Sequence, residues 1–374
     1  MMTDRIDDKL CSTRLSTLLN AVKVPLIIGI VIIHSNLDAL LPDTTAGRQA
    51  GFFCEYFSNY LCRACVPVFF IISGYLFFAN IPRFDLATYK AKLRRRATTL
   101  LIPYLIWNII GFLLLCIKAS PLLQHHFPQY ADLHLTPISI LGGFWWLRAL
   151  GVPDILPYDG PLWFIRNLIV LVIATPAIHI GLRYLRWWFP ALLLVLELLG
   201  LGIFNGLLYF TVGAAATSIS PRHLLRPLGH PLPWVASWLL FALVMQCFNA
   251  YESAPSWGVT ILATINVAFG LMSFMSVTSC HLLPVYDTPL FRLLRGSVFF
   301  IFAVHGLYST LVRRIFFNLL PPTTIGYIGA YLSTIIILLA SSLLVYLLIT
   351  RISPRLASLL SGGRATIQSM QITS

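Results

Sequence analysis

Two side chains in the otherwise apolar stretch Ala21 to Asn36 have the chemistry to act on a substrate. They are Lys23 near one end and His34 near the other, with ten residues between them. A neutral imidazole can take a proton from a hydroxyl near pH 7, the usual work of a general base. A lysine ammonium can hold a phosphate or polarise a carbonyl, and such electrostatic stabilisation is often the largest catalytic contribution. At ~100° per residue, eleven steps return to within about 20° of the starting direction, so on a helix both groups share one face about 16 Å apart. A lysine deep in hydrocarbon costs about 2.5 to 3.5 kcal/mol. The shared face therefore either lines a polar cavity or marks where the helix ends. Asp38, one turn beyond His34, is in place to orient the ring.

Further polar groups interrupt later apolar runs. Ser73-Gly74, within VPVFFIISGYLFF, reads either as a point of close helix packing or as a gap that lets a thin, extended ligand pass. Lys90, Lys92, Arg94, Arg95 and Arg96 form the densest charge run, and Pro103 breaks or kinks the helix that follows. The run serves either as a membrane anchor or as a dock where arginine forks grip a pyrophosphate. In GPLWFIRNL, Trp163 suits an interfacial belt, while Arg166 must snorkel outward or serve a purpose. His305 falls mid-span and needs a hydrogen-bond partner, and Glu197 is a further ionisable group in an apolar segment. Cys62 and Cys65 form a lone CxxC with no second pair and no nearby histidine, so no metal site is expected.

The elements that hold these groups are membrane helices. Of 374 residues, 58% are hydrophobic and only 10% charged, and the mean hydropathy is +0.82. A soluble domain carries about 25% charged residues, so the chain reads as an all-α integral membrane protein. Ten apolar segments approach spanning length: 17–38, 57–79, 99–118, 161–182, 188–204, 205–220, 232–250, 258–280, 297–317 and 325–349. The fifth and sixth are short and meet at the turn signal Asn205-Gly206. Of the 26 lysines and arginines, Lys23, Arg63 and Arg166 lie within spans, and Arg48, Lys118, Arg148, Arg313 and Arg314 lie on the side away from the N-terminus. The other 18 share the N-terminal side, which predicts a bundle of about ten spans with both termini cytoplasmic. The net charge of +13 is thereby assigned to topology, and no nucleic-acid partner is expected. The division is a cytoplasmic segment 1–16, a transmembrane domain 17–350 with a long outer loop 119–160, and a cytoplasmic tail 351–374. No internal repeat stands out, which argues against a repeat-built transporter.

In their order, these motifs resemble the membrane-bound acyltransferase type 3 family, the multi-spanning O-acyltransferases of bacterial surface glycans and related acceptors. The resemblance is carried by Lys23 and His34, FFIISGYLFF around Ser73-Gly74, and the arginine-rich loop leading to Pro103-Tyr104. Leu162-Trp163-Phe164, YFTVGA at Tyr209 to Ala214, and the late span with His305 complete it. Two features depart from the family pattern. Thr98 stands where the second of two arginines three apart is common, Arg95 being the first, which shifts phosphate contacts toward Arg94 or Arg96. Ser16-Thr17-Leu18-Leu19-Asn20 replaces the acidic-Gly-Leu-Arg lead-in.

The resemblance implies transfer of a short acyl group, acetyl or similar, from cytoplasmic acyl-CoA to a hydroxyl of a glycan or lipid-linked saccharide. The transfer would occur at the outer side of a bacterial inner membrane. It implies His34 and Lys23 as catalytic residues, and Arg94, Arg95, Arg96, Ser73 and Gly74 as donor-binding. Trp163, Arg166 and His305 would bind the acceptor. Acyl-CoA is a co-substrate, no cofactor is expected to be bound, and the oligomeric state is left open, a homo-oligomer included. The rival reading is a transporter or flippase in which Lys23, Arg166, Glu197 and His305 line a path without chemistry.

Overall fold

The computed structural model describes the chain apart from residues 1, 80, 82, 83, 124, 126, 128, 129, 131, 134, 152–155, 202–204, 226–228 and 364–374. Arg83, Arg226 and Arg364, counted above for topology, lie outside the described residues. All regular structure among the described residues is helical: α1 Met2–His34, α2 Thr45–Glu55, α3 Cys65–Phe78, α4 Leu86–Arg96, α5 Ile102–Lys118 and α6 Pro137–Gly143 come first. Then follow α7 Trp163–Ile173, α8 Thr175–Leu185, α9 Trp188–Leu198, α10 Asn205–Ala216, α11 Pro221–Leu225 and α12 Pro231–Cys247. The chain ends with α13 Ala250–Ser253, α14 Ser256–Val277, α15 Pro289–Leu319, α16 Thr324–Ile352 and α17 Pro354–Leu360.

Six helical stretches are long and apolar enough to cross a membrane: Leu10–Leu40, Thr45–Phe78, Leu86–Lys118, Ser256–Leu282, Pro289–Leu319 and Thr324–Ile352. The segment read as one span over 161–182 is instead a pair, Gly160–Ile173 and Thr175–Leu185, bent by 62°. Pro176, near the start of α8, supplies no backbone N–H to continue the helix before it, which accounts for a break there. Three apolar helices, Trp188–Leu198, Gly206–Ala216 and Pro231–Cys247, are shorter than a full span.

Helix starts follow ordinary capping chemistry. The side chains of Thr44, Asp85, Thr288, Thr323 and Ser353 accept hydrogen bonds from backbone N–H groups three residues on, satisfying orphan donors at the starts of α2, α4, α15, α16 and α17. Two long stretches change pitch partway. Tyr56–Leu61 and Ala97–Leu101 are π-helical, and each turns the side chains that follow to a new direction.

The tightest crossing joins α3 to α10. A Cβ on Gly74 would come within 2.0 Å of the Phe210 carbonyl oxygen, and one on Gly213 within 1.9 Å of the Ile71 oxygen. The two backbones touch because neither helix carries a side chain there, the usual device of membrane helices. Gly74 is thus used for packing, while its neighbour Ser73 points elsewhere. Polar ties lock the later helices: Tyr308 Oη lies 2.8 Å from Ser341 Oγ and 2.8 Å from Ser342 Oγ, joining α15 to α16. Trp107 Nε1 donates to the Leu360 carbonyl at 3.0 Å, joining α5 to α17.

Overpacking a tight interior contact costs about 1–3 kcal/mol. Gly74→Ala is therefore expected to lower the thermal midpoint of the detergent-purified protein by several degrees, whereas Ser73→Ala leaves it within about one degree. Size-exclusion or scanning-fluorimetry melts check both, and equal midpoints for Gly74→Ala and wild type would contradict the contact.

Candidate active site

Helix α1 carries Lys23 and His34 to two distinct places. Lys23 Nζ donates to Asn20 Oδ1 at 2.8 Å, and both residues line a cavity of about 840 Å³. Ser73 from α3 and Arg96 from α4 line the same cavity, so three residues singled out in the sequence converge there. Arg94 and Arg95 are exposed and do not line it. The π-helical pitch that follows Arg96 belongs to the same continuous stretch, Leu86–Lys118.

On α1 the cavity reaches Ile30, one turn before His34, and on α15 it reaches Phe302, three residues before His305. Phe69, Phe164 and Phe302 form its aromatic end: the Phe69 and Phe164 rings are 5.9 Å apart, and those of Phe164 and Phe302 are 5.8 Å apart. Beyond this collar lies the histidine pair. The His34 and His305 rings meet edge-to-face with centroids 5.1 Å apart, and Phe302 lies 6.2 Å from His305.

His305 is fully buried, and its Nδ1 lies 2.9 Å from the Ile301 carbonyl oxygen. A carbonyl only accepts, so Nδ1 carries the proton and Nε2 keeps a lone pair, which has no hydrogen-bond partner among the described residues. His305 therefore supplies a buried acceptor beside His34. The orienting role read for Asp38 is not what the structure shows. Asp38 Oδ2 accepts from Asn36 Nδ2 at 2.7 Å, and the ring neighbour of His34 is His305. Arg313 completes this end, donating through Nη1 to the Asn36 carbonyl at 2.7 Å.

Side chains of the bundle also reach the loop 119–160. Arg166 donates through Nη1 to the Trp145 carbonyl oxygen, and its guanidinium lies 5.4 Å from the Trp145 ring centroid. Tyr104 Oη donates to the Phe144 carbonyl oxygen, and Tyr158 Oη donates to that of Ile140 at 2.9 Å. Arg166 and Tyr104 thus pin the loop against the bundle. Trp163 is half-buried and packs against the main core. Glu197 sits apart: with Arg63 it lines a separate cavity of about 140 Å³. Glu197 accordingly does not line the cavity that Lys23 lines.

The chain belongs to the acyltransferase type 3 family. The family's sequence pattern, described as an acyltransferase domain, matches residues 17–351. The chain is also similar to the succinoglycan biosynthesis protein ExoH of Rhizobium meliloti (strain 1021), at 27% identity over 372 residues covering 95% of this chain and 94% of the relative. No solved structure matches it. In this acyltransferase the sequence reading missed the lining residues Phe302, Tyr286, Arg292 and Arg295, and took Phe164 only as part of a motif. Arg292 and Arg295 were counted only as topological charge. Their spacing of three on one helix face was the available signal.

Asp159, at the base of the loop, was also missed. It is 1% exposed, its backbone N–H donates to Asn108 Oδ1 at 3.2 Å, and neither carboxyl oxygen has a hydrogen-bond partner among the described residues. A Cβ on Gly306 would lie 3.2 Å from Asp159 Oδ1, so the carboxyl packs on the helix that carries His305. Burial pushes this carboxyl well above the usual carboxylate range. The unfolded chain ionises there near pH ~3.9, whereas the folded chain keeps the proton, so this group's contribution to stability is lost as pH rises above that value. Asp159→Asn removes the titration. Its thermal stability relative to wild type should therefore climb between about pH 4 and pH 7. Parallel melting curves across that range would mean the carboxyl is ionised in the fold.

Proposed function

We propose that this acyltransferase moves a short acyl group, acetyl by the family resemblance, from cytoplasmic acyl-CoA to a hydroxyl of a glycan or lipid-linked saccharide at the outer face of a bacterial inner membrane. The observation that carries the reading is the layout along α1. A cationic cavity with Lys23, Ser73 and Arg96 ends one turn short of the His34–His305 pair. We read the six long helices, the bent pair and the three shorter apolar helices together as a bundle of about ten spans, and the bias of lysines and arginines as a reason to put both termini in the cytoplasm. The likeness to ExoH, a succinoglycan biosynthesis protein, supports a polysaccharide-related acceptor.

Arg96 and Lys23 hold the donor's phosphates at the mouth, and Ser73 lies along the pantetheine arm. The thioester passes the phenyl collar to reach His34. His34 takes the proton of the acceptor hydroxyl, and the freed oxygen attacks the thioester carbonyl. The tetrahedral adduct collapses by breaking the carbon–sulfur bond, and the thiolate leaves with the proton returned from His34. The acceptor thereby gains an ester and the carrier leaves as a thiol. The edge-to-face contact of His305 holds the His34 ring in place, so His305 is a positioning residue in this scheme. Arg166 acts indirectly, by holding the Trp145 segment of the outer loop where the acceptor binds.

Radiolabelled acetyl-CoA incubated with membranes containing the chain and a saccharide acceptor should yield labelled, base-labile glycan. General-base work contributes about 10²–10⁴-fold, so His34→Ala should lose that factor while retaining its folding and its donor binding. Full transfer by a stably expressed His34→Ala variant would refute the mechanism. Movement of an unmodified saccharide across the bilayer, with no label incorporated, would favour a flippase.

A further inference from the structure

The cavity has a second charged wall that the scheme above does not use. It is built from the start of α15 and the loop before it, and it brings Tyr286, Asp287, Arg292 and Arg295 to the cavity that Lys23 and Arg96 also line. Arg292 and Arg295 are three residues apart on one helix, so their side chains leave it from the same face. The Arg295 guanidinium lies 3.8 Å from the centroid of the Tyr286 ring. This is a stacked pair that presents a flat surface and fixes the direction of the fork. Arg292 Nε is buried without a hydrogen-bond partner, and neither arginine forms an ion pair among the described residues.

The charge is unbalanced. Four cations, Lys23, Arg96, Arg292 and Arg295, face one carboxylate, Asp287, around a single cavity. Positive groups crowded into a recess with low-dielectric walls repel one another and raise the local concentration of anions. Guanidinium forks in particular match the oxygens of a phosphate. Two guanidiniums on one wall and another cation pair on a different element suit a ligand with phosphates at more than one position. The Tyr286–Arg295 stack suits a planar heterocycle. A carboxylate beside it, Asp287, can only accept hydrogen bonds when ionised, which suits sugar hydroxyls or an exocyclic amine.

We propose that Tyr286, Asp287, Arg292 and Arg295 form the nucleotide end of the donor site, selecting a thioester carrier that bears a purine-like base and several phosphates. Arg292 and Arg295 grip the phosphates nearest the base, Tyr286 with Arg295 supports the base, and Asp287 accepts from its ribose or amine. Arg96 and Lys23 are left to the phosphates nearer the pantetheine arm. A carrier that offers only a phosphopantetheine arm leaves this wall empty and binds weakly. The assignment rests on the acyl-CoA reading and makes that reading specific to residues outside the basic run Lys90 to Arg96.

The test is equilibrium binding to the full chain in nanodiscs, with transfer measured separately. Adenosine 3′,5′-bisphosphate, which has the base and phosphates but no arm or acyl group, should compete with coenzyme A. Losing one charge-assisted fork weakens binding about tenfold, so Arg292→Gln and Arg295→Gln should each weaken both ligands by about that factor. Neither should alter the weaker binding of 4′-phosphopantetheine. Arg295→Lys keeps the charge but not the planar fork, so it should recover only part of the loss and also guards against a merely unfolded variant. Failure of the bisphosphate to compete, or wild-type coenzyme A affinity in both glutamine variants, would overturn the subsite. Tight, arginine-dependent binding with no acyl transfer to any saccharide would support the subsite while sinking the transfer reading.

Discussion

The register of α1 against α15 is the constraint on which the site depends. The two helices run in the same direction, and His34 meets His305 across them at 5.1 Å between ring centroids. Stepping back along each from that pair reaches Lys23 on one and Arg295 on the other, both lining one cavity. A helix is rigid at about 1.5 Å per residue, so fixing the histidines fixes the cations. A slip of one residue on either helix would turn its polar groups by about 100° and dissolve both stations together. The Arg313 bond to the Asn36 carbonyl at 2.7 Å ties the far ends of the same pair, which makes such a slip costly.

The remaining helices supply walls and braces. Close contact of α3 with α10 at Gly74 and Gly213 sets the depth to which α3 enters the bundle, and so where Ser73 meets the cavity. The outer loop is treated in the same way. Its backbone carbonyls at Phe144 and Trp145 are bound by Tyr104 and Arg166, which hold a segment with little regular structure to the bundle, while Tyr158 binds that of Ile140 within the loop. Satisfying backbone carbonyls with long polar side chains is a necessity near hydrocarbon, where water is not on hand to do it.

Much of this was legible in the chain itself. Hydropathy marked the apolar helices, and Lys23 and His34 do fall on one continuous helix, α1. What could not be read was which of several adjacent candidates looks inward. Arg96 lines the cavity while Arg94 and Arg95 are exposed, a choice set by how α4 is turned against the rest of the bundle. Ser73 and Gly74 were read as a unit, but successive helical positions diverge by about 100°, and the structure gives one to the cavity and the other to Phe210. Pairing across long sequence separations was the other blind spot. Nothing local couples His34 to His305, or Asp159 to Gly306, because both meetings are made by tertiary packing. The bend of 62° after Ile173 was hidden for a similar reason, since hydropathy averages over a break that a single proline imposes.

The phenyl collar carries one further consequence, for the membrane rather than the substrate. A bundle with a charged recess opening at one end and a polar histidine pair near the other invites a conduit, and a conduit short-circuits the gradients the bilayer exists to hold. Phe69, Phe164 and Phe302 stand across that route with ring centroids less than 6 Å apart in sequence of contact, 5.9 Å and then 5.8 Å. Apolar constrictions of this kind shed their water, and without a file of water molecules neither protons nor small ions can follow. In the proposed transfer, the same three rings that a slender acyl arm would push aside serve as electrical insulation whenever no arm is present.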